Sequence, residues 1–209
     1  MTPRHLVAAA SATALAAGTL AFAAPAQAAA GNDSLYDVLA ADVTKKGAPS
    51  FDRNGKDFDI LTAAVFAVLD AKPGSPVGVL ADGSVKLTAF IPTDGAFKRT
   101  GQDLGIKAKN EAKRATKYVN RLGVDGVESV LLYHVIAGQK INAKTAAGAD
   151  GAKLETALGQ KFTVNVTHQG IFLKDRARDI ANPKVIVTDI NKGNKQIAHA
   201  INRVLLPAL

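Results

Sequence analysis

The hydrophobic pattern changes character several times along this chain. Residues 6–24 are apolar and alanine-rich, with no charge and no polar period. A short basic start with Arg4 and His5 precedes them, and Pro25 followed by Ala26-Gln27-Ala28 closes them. These are the parts of a secretory signal, so residues 1–28 are expected to be removed by cleavage after Ala28. A membrane anchor is the rival reading. The run lies near the shortest length that spans, and alanine contributes little insertion energy. No second long apolar run follows, so no transmembrane segment is expected in the mature chain.

Helical spacing governs the next third. Residues 32–41 predict a helix capped by Asp33 or Ser34, with Leu35, Val38 and Leu39 on one face. Residues 44–57 (TKKGAPSFDRNGKD) are polar and broken by glycine and proline, and predict a long loop. Within it Asp52, Asn54, Gly55 and Asp57 faintly resemble a calcium loop. The regular ligand spacing and the closing glutamate are missing, which favours a turn. Residues 58–69 place Ile60, Leu61, Ala64, Val65, Val68 and Leu69 on a helix that 72–76 (KPGSP) stops. Val79-Leu80, a turn at Asp82-Gly83 and a strand over 85–91 read as a hairpin, with Val85, Leu87, Ala89 and Ile91 sharing a face. Pro92 ends that strand, and Thr93 or Asp94 caps a helix beginning near Ala96. Further helices are expected over 107–122 and 127–134.

The last third switches to period two. Phe162, Val164 and Val166 alternate with Thr163, Asn165 and Thr167. A turn at 168–170 leads to a strand at 171–173. A strand over 184–190, a turn at 191–194 and a long strand over 196–206 follow. Helices early and strands late predict an α+β fold rather than a parallel βαβ one.

Composition narrows the chemistry. Hydrophobic residues make up 47% and charged residues 21%, which excludes a disordered chain. The absence of cysteine excludes disulfides, thiolate metal sites and a cysteine nucleophile. With no tryptophan and 5% aromatics, a stacking platform for single-stranded nucleic acid is poorly supplied. Beyond the signal, His134, His168 and His199 form no HExxH helix and no close ligand pair. No serine stands in a GxSxG elbow and no glycine-rich loop has phosphate-binding spacing. His134 and His199 read as buried, hydrogen-bonded groups and His168 as a turn residue. Asp57 and Asp59 read as a local pair without a shared cleft, so a glycosidase is not favoured. The expectation is a non-enzyme with no catalytic residues, no metal and no cofactor.

The formal charge of +8 invites anionic partners. Lys109, Lys113, Lys117 and Arg121 recur every four residues in the helix expected over 107–122, opposite Ala112, Ala115, Val119 and Leu122. Glu111 is the one acid among them. The stripe has two readings. One is a solvated helix face. The other is contact with an anionic wall polymer, a polysaccharide or a phospholipid surface. Export argues against nucleic acid as the physiological target.

Three separated segments stand in a known order. Residues 88–97 (TAFIPTDGAF), 132–138 (LYHVIAG) and 187–207, with VTDI, His199 and the closing INRVLLP, resemble the fasciclin domain family. The resemblance covers about 33–207. It implies a wedge of two small packed sheets with helices clustered on one side, and a secreted, non-enzymatic adhesion or interaction module at the cell surface or extracellular matrix. The 44–57 loop reads as an insertion. In animal members a tyrosine–histidine pair and an Asp-Ile pair are implicated in receptor contact. The matching positions, Tyr133, His134, Asp189 and Ile190, are candidate partner-binding residues. Each also has a structural reading: Tyr133 in an apolar segment, His134 as a buried hydrogen-bonding group, Ile190 in the core, Asp189 as a cap of the next turn. Some algal members carry carotenoids, so a carrier of a small apolar ligand, held between helices and sheet, is the alternative. The alanine-rich signal and the lack of cysteine suggest a bacterial host. The sequons at Asn32 and Asn165 then read as chance.

Overall fold

The computed structural model describes residues 31–41 and 49–208. The expected signal peptide and the first part of the 44–57 loop lie outside the described residues. The first helix, α1 (Leu35–Ala40), begins with a capping box: Ser34 Oγ accepts from the Asp37 amide, and the Asp37 carboxylate accepts from the Ser34 amide. Then come α2 (Asp59–Ala71), a 3-10 turn (Pro76–Ala81), β1 (Leu87–Pro92) and α3 (Asp94–Asp103). The long α4 (Glu111–Tyr133) leads directly into β2 (Val135–Ala137), and α5 (Ala143–Ala147) follows. The chain closes with β3 (Lys153–Glu155), β4 (Lys161–Thr167), β5 (Gly170–Lys174), β6 (Val185–Ile190) and β7 (Gln196–Ile201).

Two sheets result, as an α+β wedge requires. One has the order β2-β1-β7-β6, the other β3-β4-β5. In the first, β1 runs parallel to β7, from Leu87 opposite Gln196 to Pro92 opposite Ile201. Both strands are buried along their whole length because both faces are covered. Leu87, Ala89 and Ile91, with Ala198, Ala200 and Val135, pack with the helices. Phe90, Ile136 and Ile201 pack instead against Phe162, Val164 and Leu173 of the second sheet. The four-stranded sheet is therefore a middle layer, with α1 to α4 clustered on one side.

Three expectations are corrected. No hairpin precedes β1. Ser75 caps the 3-10 turn by accepting from the Val77 amide, and Pro76 suits its first position. Val77 and Leu80 then bury one face at i,i+3 spacing, so Val79-Leu80 belongs to this turn and not to a strand. Second, α4 begins at Glu111, where the Asn110 side chain accepts from the Lys113 amide, so residues 107–110 precede the helix. The two helices expected over 107–122 and 127–134 are both present within α4 and meet at a kink at Gly123, whose φ of 67° suits a residue without a Cβ. Third, the last strand ends at Ile201, not 206. The Val204 amide donates to Thr100 Oγ1 and the Leu205 amide to His134 Nε2, which draws the chain off the ladder.

A basic groove with an acidic floor as candidate binding site

The loop before α2 and the start of α3 meet through main-chain bonds. Thr93 caps α3, and Asp94 occupies its first turn. The Asp94 amide donates to the Asp57 carbonyl at 3.0 Å, and the Gly95 amide to the Gly55 carbonyl at 2.8 Å. A Cβ at Gly95 would stand 2.8 Å from that same Gly55 oxygen, so this approach requires glycine. Phe51 and Arg53 take left-handed φ values of 47° and 75°, uncommon for residues with side chains. The Arg53 amide is held by Glu111 Oε2 at 2.8 Å, and the Asp52 amide by Asp59 Oδ2 at 3.3 Å.

This path gathers five carboxylates from three distant stretches of sequence. Oxygens of Asp57, Asp59 and Asp94 lie within 4.8 Å of one another, and so do oxygens of Asp52, Asp59 and Glu111. Asp57 and Asp59 thus share a cluster that includes Asp94, where the sequence suggested only a local pair. Asp94 is 1% exposed. Its Oδ1 accepts from the Ile60 amide at the start of α2, at 2.9 Å. Burial pushes its carboxyl up to about 8, and the charges of Asp57, Glu111 and Asp59 add to the shift against the Ile60 bond. Burial, and then the neighbouring Asp59, Asp52 and Glu111, raise Asp57 to about 6.

A groove of about 730 Å³ opens onto this cluster. Asp94 and Glu111 line it together with Arg53, Lys56, Lys98, Arg99, Lys109 and Arg114. No serine, cysteine or histidine is among the described residues that line it.

The candidate residues from the sequence fall in separate places. Lys109 belongs to the groove wall rather than to a helical stripe. Lys113, Lys117 and Arg121 are exposed on α4. Lys117 Nζ donates to the Lys107 carbonyl at 2.6 Å. Tyr133 is 0% exposed, and its hydroxyl donates to the Lys161 carbonyl. His134 is 5% exposed. Its Nδ1–H donates to the Val130 carbonyl at 2.7 Å, and its Nε2 accepts from the Leu205 amide at 3.0 Å. Burial pushes this ring down to about 4, so it is neutral at physiological pH. Neither member of the pair offers surface to a partner in this fold. Asp189, at a left-handed φ of 59°, accepts from the Ala143 amide at the start of α5. Ile190 is half-buried against the helical core. His199 bonds the Ile141 carbonyl through Nε2, and His168 is exposed in its turn. On the edge strand β6, Ile186 and Val187 are 47% and 51% exposed.

An apolar cavity of about 90 Å³ lies between α2, α4 and the C-terminal segment, among Ile60, Phe97, Tyr118, Leu122, Leu131 and Leu206.

A middle sheet covered by helices on one side and by a second sheet on the other, with a polar groove beside it, is the architecture on which the family comparison bears. The fasciclin domain model matches residues 68–207, and the chain belongs to the fasciclin domain family. These domains are typically extracellular interaction modules associated with cell adhesion. Among solved structures, the chain is similar to a FAS1 domain pair from the insect cell adhesion molecule fasciclin I. The identity is 17% and the TM-score 0.42, over 73% of this chain and 45% of that one. This chain thus spans less than half the length of that relative. No curated protein matches the chain. No helix of the described residues is long and apolar enough to cross a membrane.

Proposed function

We propose that residues 1–28 export the chain, and that the fasciclin-like domain over about 33–207 is a non-enzymatic adhesion module binding an anionic polymer of the cell surface or matrix. The observation that supports this reading is the groove. Six cations, Arg53, Lys56, Lys98, Arg99, Lys109 and Arg114, surround two acids in one concave surface. A concave basic surface concentrates field and favours a chain of negative charges over a single one. The exposed Lys113, Lys117 and Arg121 of α4 extend the same positive potential. For Tyr133, His134 and Asp189 the internal hydrogen bonds support the structural reading over a partner contact.

Binding to a phosphate-bearing wall polymer tests the proposal. Reversal of Lys56, Lys98, Arg99 and Lys109 to glutamate is expected to weaken binding about tenfold or more at low salt, with folding retained. Reversal of Lys113, Lys117 and Arg121 is expected to weaken it less. Equal binding by wild type and the groove variant would overturn the proposal.

The carrier of a small apolar ligand is the second reading, and the apolar cavity favours it. Its volume of about 90 Å³ is well below the roughly 300 Å³ at which ligand pockets begin, so a carotenoid would require the helices to part. Native mass spectrometry and an absorption spectrum of protein from its own host separate the two readings.

A further inference from the structure

We propose that Asp57, Asp59 and Asp94 together hold one divalent cation of the hard, oxygen-seeking class, with calcium the preferred ion, beside the groove that Asp94 lines. Two oxygens each about 2.4 Å from a calcium ion lie at most about 4.8 Å apart. The three carboxylate oxygens meet that limit, all lying within 4.8 Å of one another.

The second observation comes from hydrogen-bond accounting. Among the described residues, three buried side-chain polar atoms have no partner: both carboxylate oxygens of Asp57 and Oδ2 of Asp94. All three fall in this one cluster. Buried polar atoms are otherwise satisfied almost without exception, because an unmet acceptor costs roughly 1–3 kcal/mol. Asp94 is almost wholly enclosed, and its one engaged oxygen points to the Ile60 amide. The free oxygen of a buried carboxylate, beside two further carboxylates, suits a cation.

The donor chemistry selects the class. Every ligand is a carboxylate oxygen, and the chain has no cysteine. His134 and His199 are committed to main-chain partners elsewhere. Oxygen-only ligands favour calcium or magnesium over zinc or copper. Carboxylates of uneven burial, drawn from a loop and two helix starts, suit calcium, which tolerates irregular geometry and fills open positions with water. The second triad is less suited, because the unpartnered buried oxygens belong to Asp57 and Asp94, and neither of these is a member of it.

The inference stands apart from the polymer reading, because its test contains no polymer. The secreted full chain is stripped with a chelator and titrated calorimetrically with calcium chloride, then with magnesium chloride, at neutral pH. One equivalent of calcium is expected to bind with a dissociation constant at or below about 1 mM, the weak end for extracellular modules, and to raise Tm. Asp57→Asn is the chosen variant, since the Asp57 side chain accepts no protein hydrogen bond. It is expected to keep the far-ultraviolet spectrum of the folded chain and to lose affinity at least about tenfold. Two results would overturn the proposal. One is no heat and no Tm shift with either ion. The other is calcium binding that survives Asp57→Asn unchanged.

Discussion

His134 and Asp94 are both titratable, both nearly sealed from water, and both placed where a helix meets a strand. Their surroundings differ in one respect. Each ring nitrogen of His134 has a main-chain partner, whereas one oxygen of Asp94 has none. The histidine resembles a rivet between α4 and the C-terminal segment. The aspartate is half a rivet, holding α2 through Ile60 and leaving the other half for something else. Burial alone does not separate a structural group from a site, and completeness of hydrogen bonding does.

The comparison can be broken most forcefully at the histidine. His134→Ala leaves the Leu205 amide and the Val130 carbonyl without partners and opens a void. The expected loss is about 4 kcal/mol in urea unfolding, and a loss below about 1 kcal/mol would contradict the structural role. A pH series sharpens the same point. The folded ring titrates near 4 and the unfolded one near 6.5, so both states are neutral above pH 6.5. Between pH 6.5 and 4 the unfolded chain takes up a proton that the folded chain refuses. Stability therefore falls with acidification, by about 3 kcal/mol at the lower end. The raised carboxylates act in the opposite direction. A His134→Gln variant keeps those carboxylates, so the difference between its pH series and that of the wild type isolates the ring.

At the aspartate cluster the expected sign reverses. In chelator-treated protein Asp57→Asn removes one of several crowded negative charges and is expected to add about 1 kcal/mol of stability by thermal melting. A loss instead would show that the carboxylate is already satisfied. The smallest effect is expected on α4. Replacing Lys113, Lys117 and Arg121 by glutamate should change unfolding free energy by about 0.5 kcal/mol or less per residue.

Much of this division was legible in advance. The TAFIPTDGAF segment carries its own reasons: a proline closing a strand, then a threonine cap. His134 stands in an apolar run and reads as buried. What was not legible depends on residues far apart in sequence. Asp94 joins Asp57 and Asp59 only because the Asp57 carbonyl accepts the Asp94 amide across the turn. The local hint was the faint calcium-loop likeness of Asp52, Asn54, Gly55 and Asp57, which reads as a turn because its missing ligand partners, Asp59 aside, lie far away in sequence. The 3-10 turn reads as a strand from sequence because the adjacent Val79 and Leu80 suit a strand's appetite for apolar residues as well as a turn's. Short elements such as β2 and β3 span three residues each, too few to display a period. The early end of β7 is set by Thr100 and His134, not by anything in residues 202–206.

The parallel pairing of β1 with β7 carries a consequence for how the molecule is made. β7 sits in the middle of the principal sheet, yet it is the last of the described strands in chain order. Until Gln196 to Ile201 arrive, β1 has only β2 beside it, and the helices rest on half a sheet. Closing that pair joins residues more than a hundred positions apart, and such closures are slow. A chain whose central pairing waits for a strand so distant in sequence keeps β1 open on one side until that strand arrives.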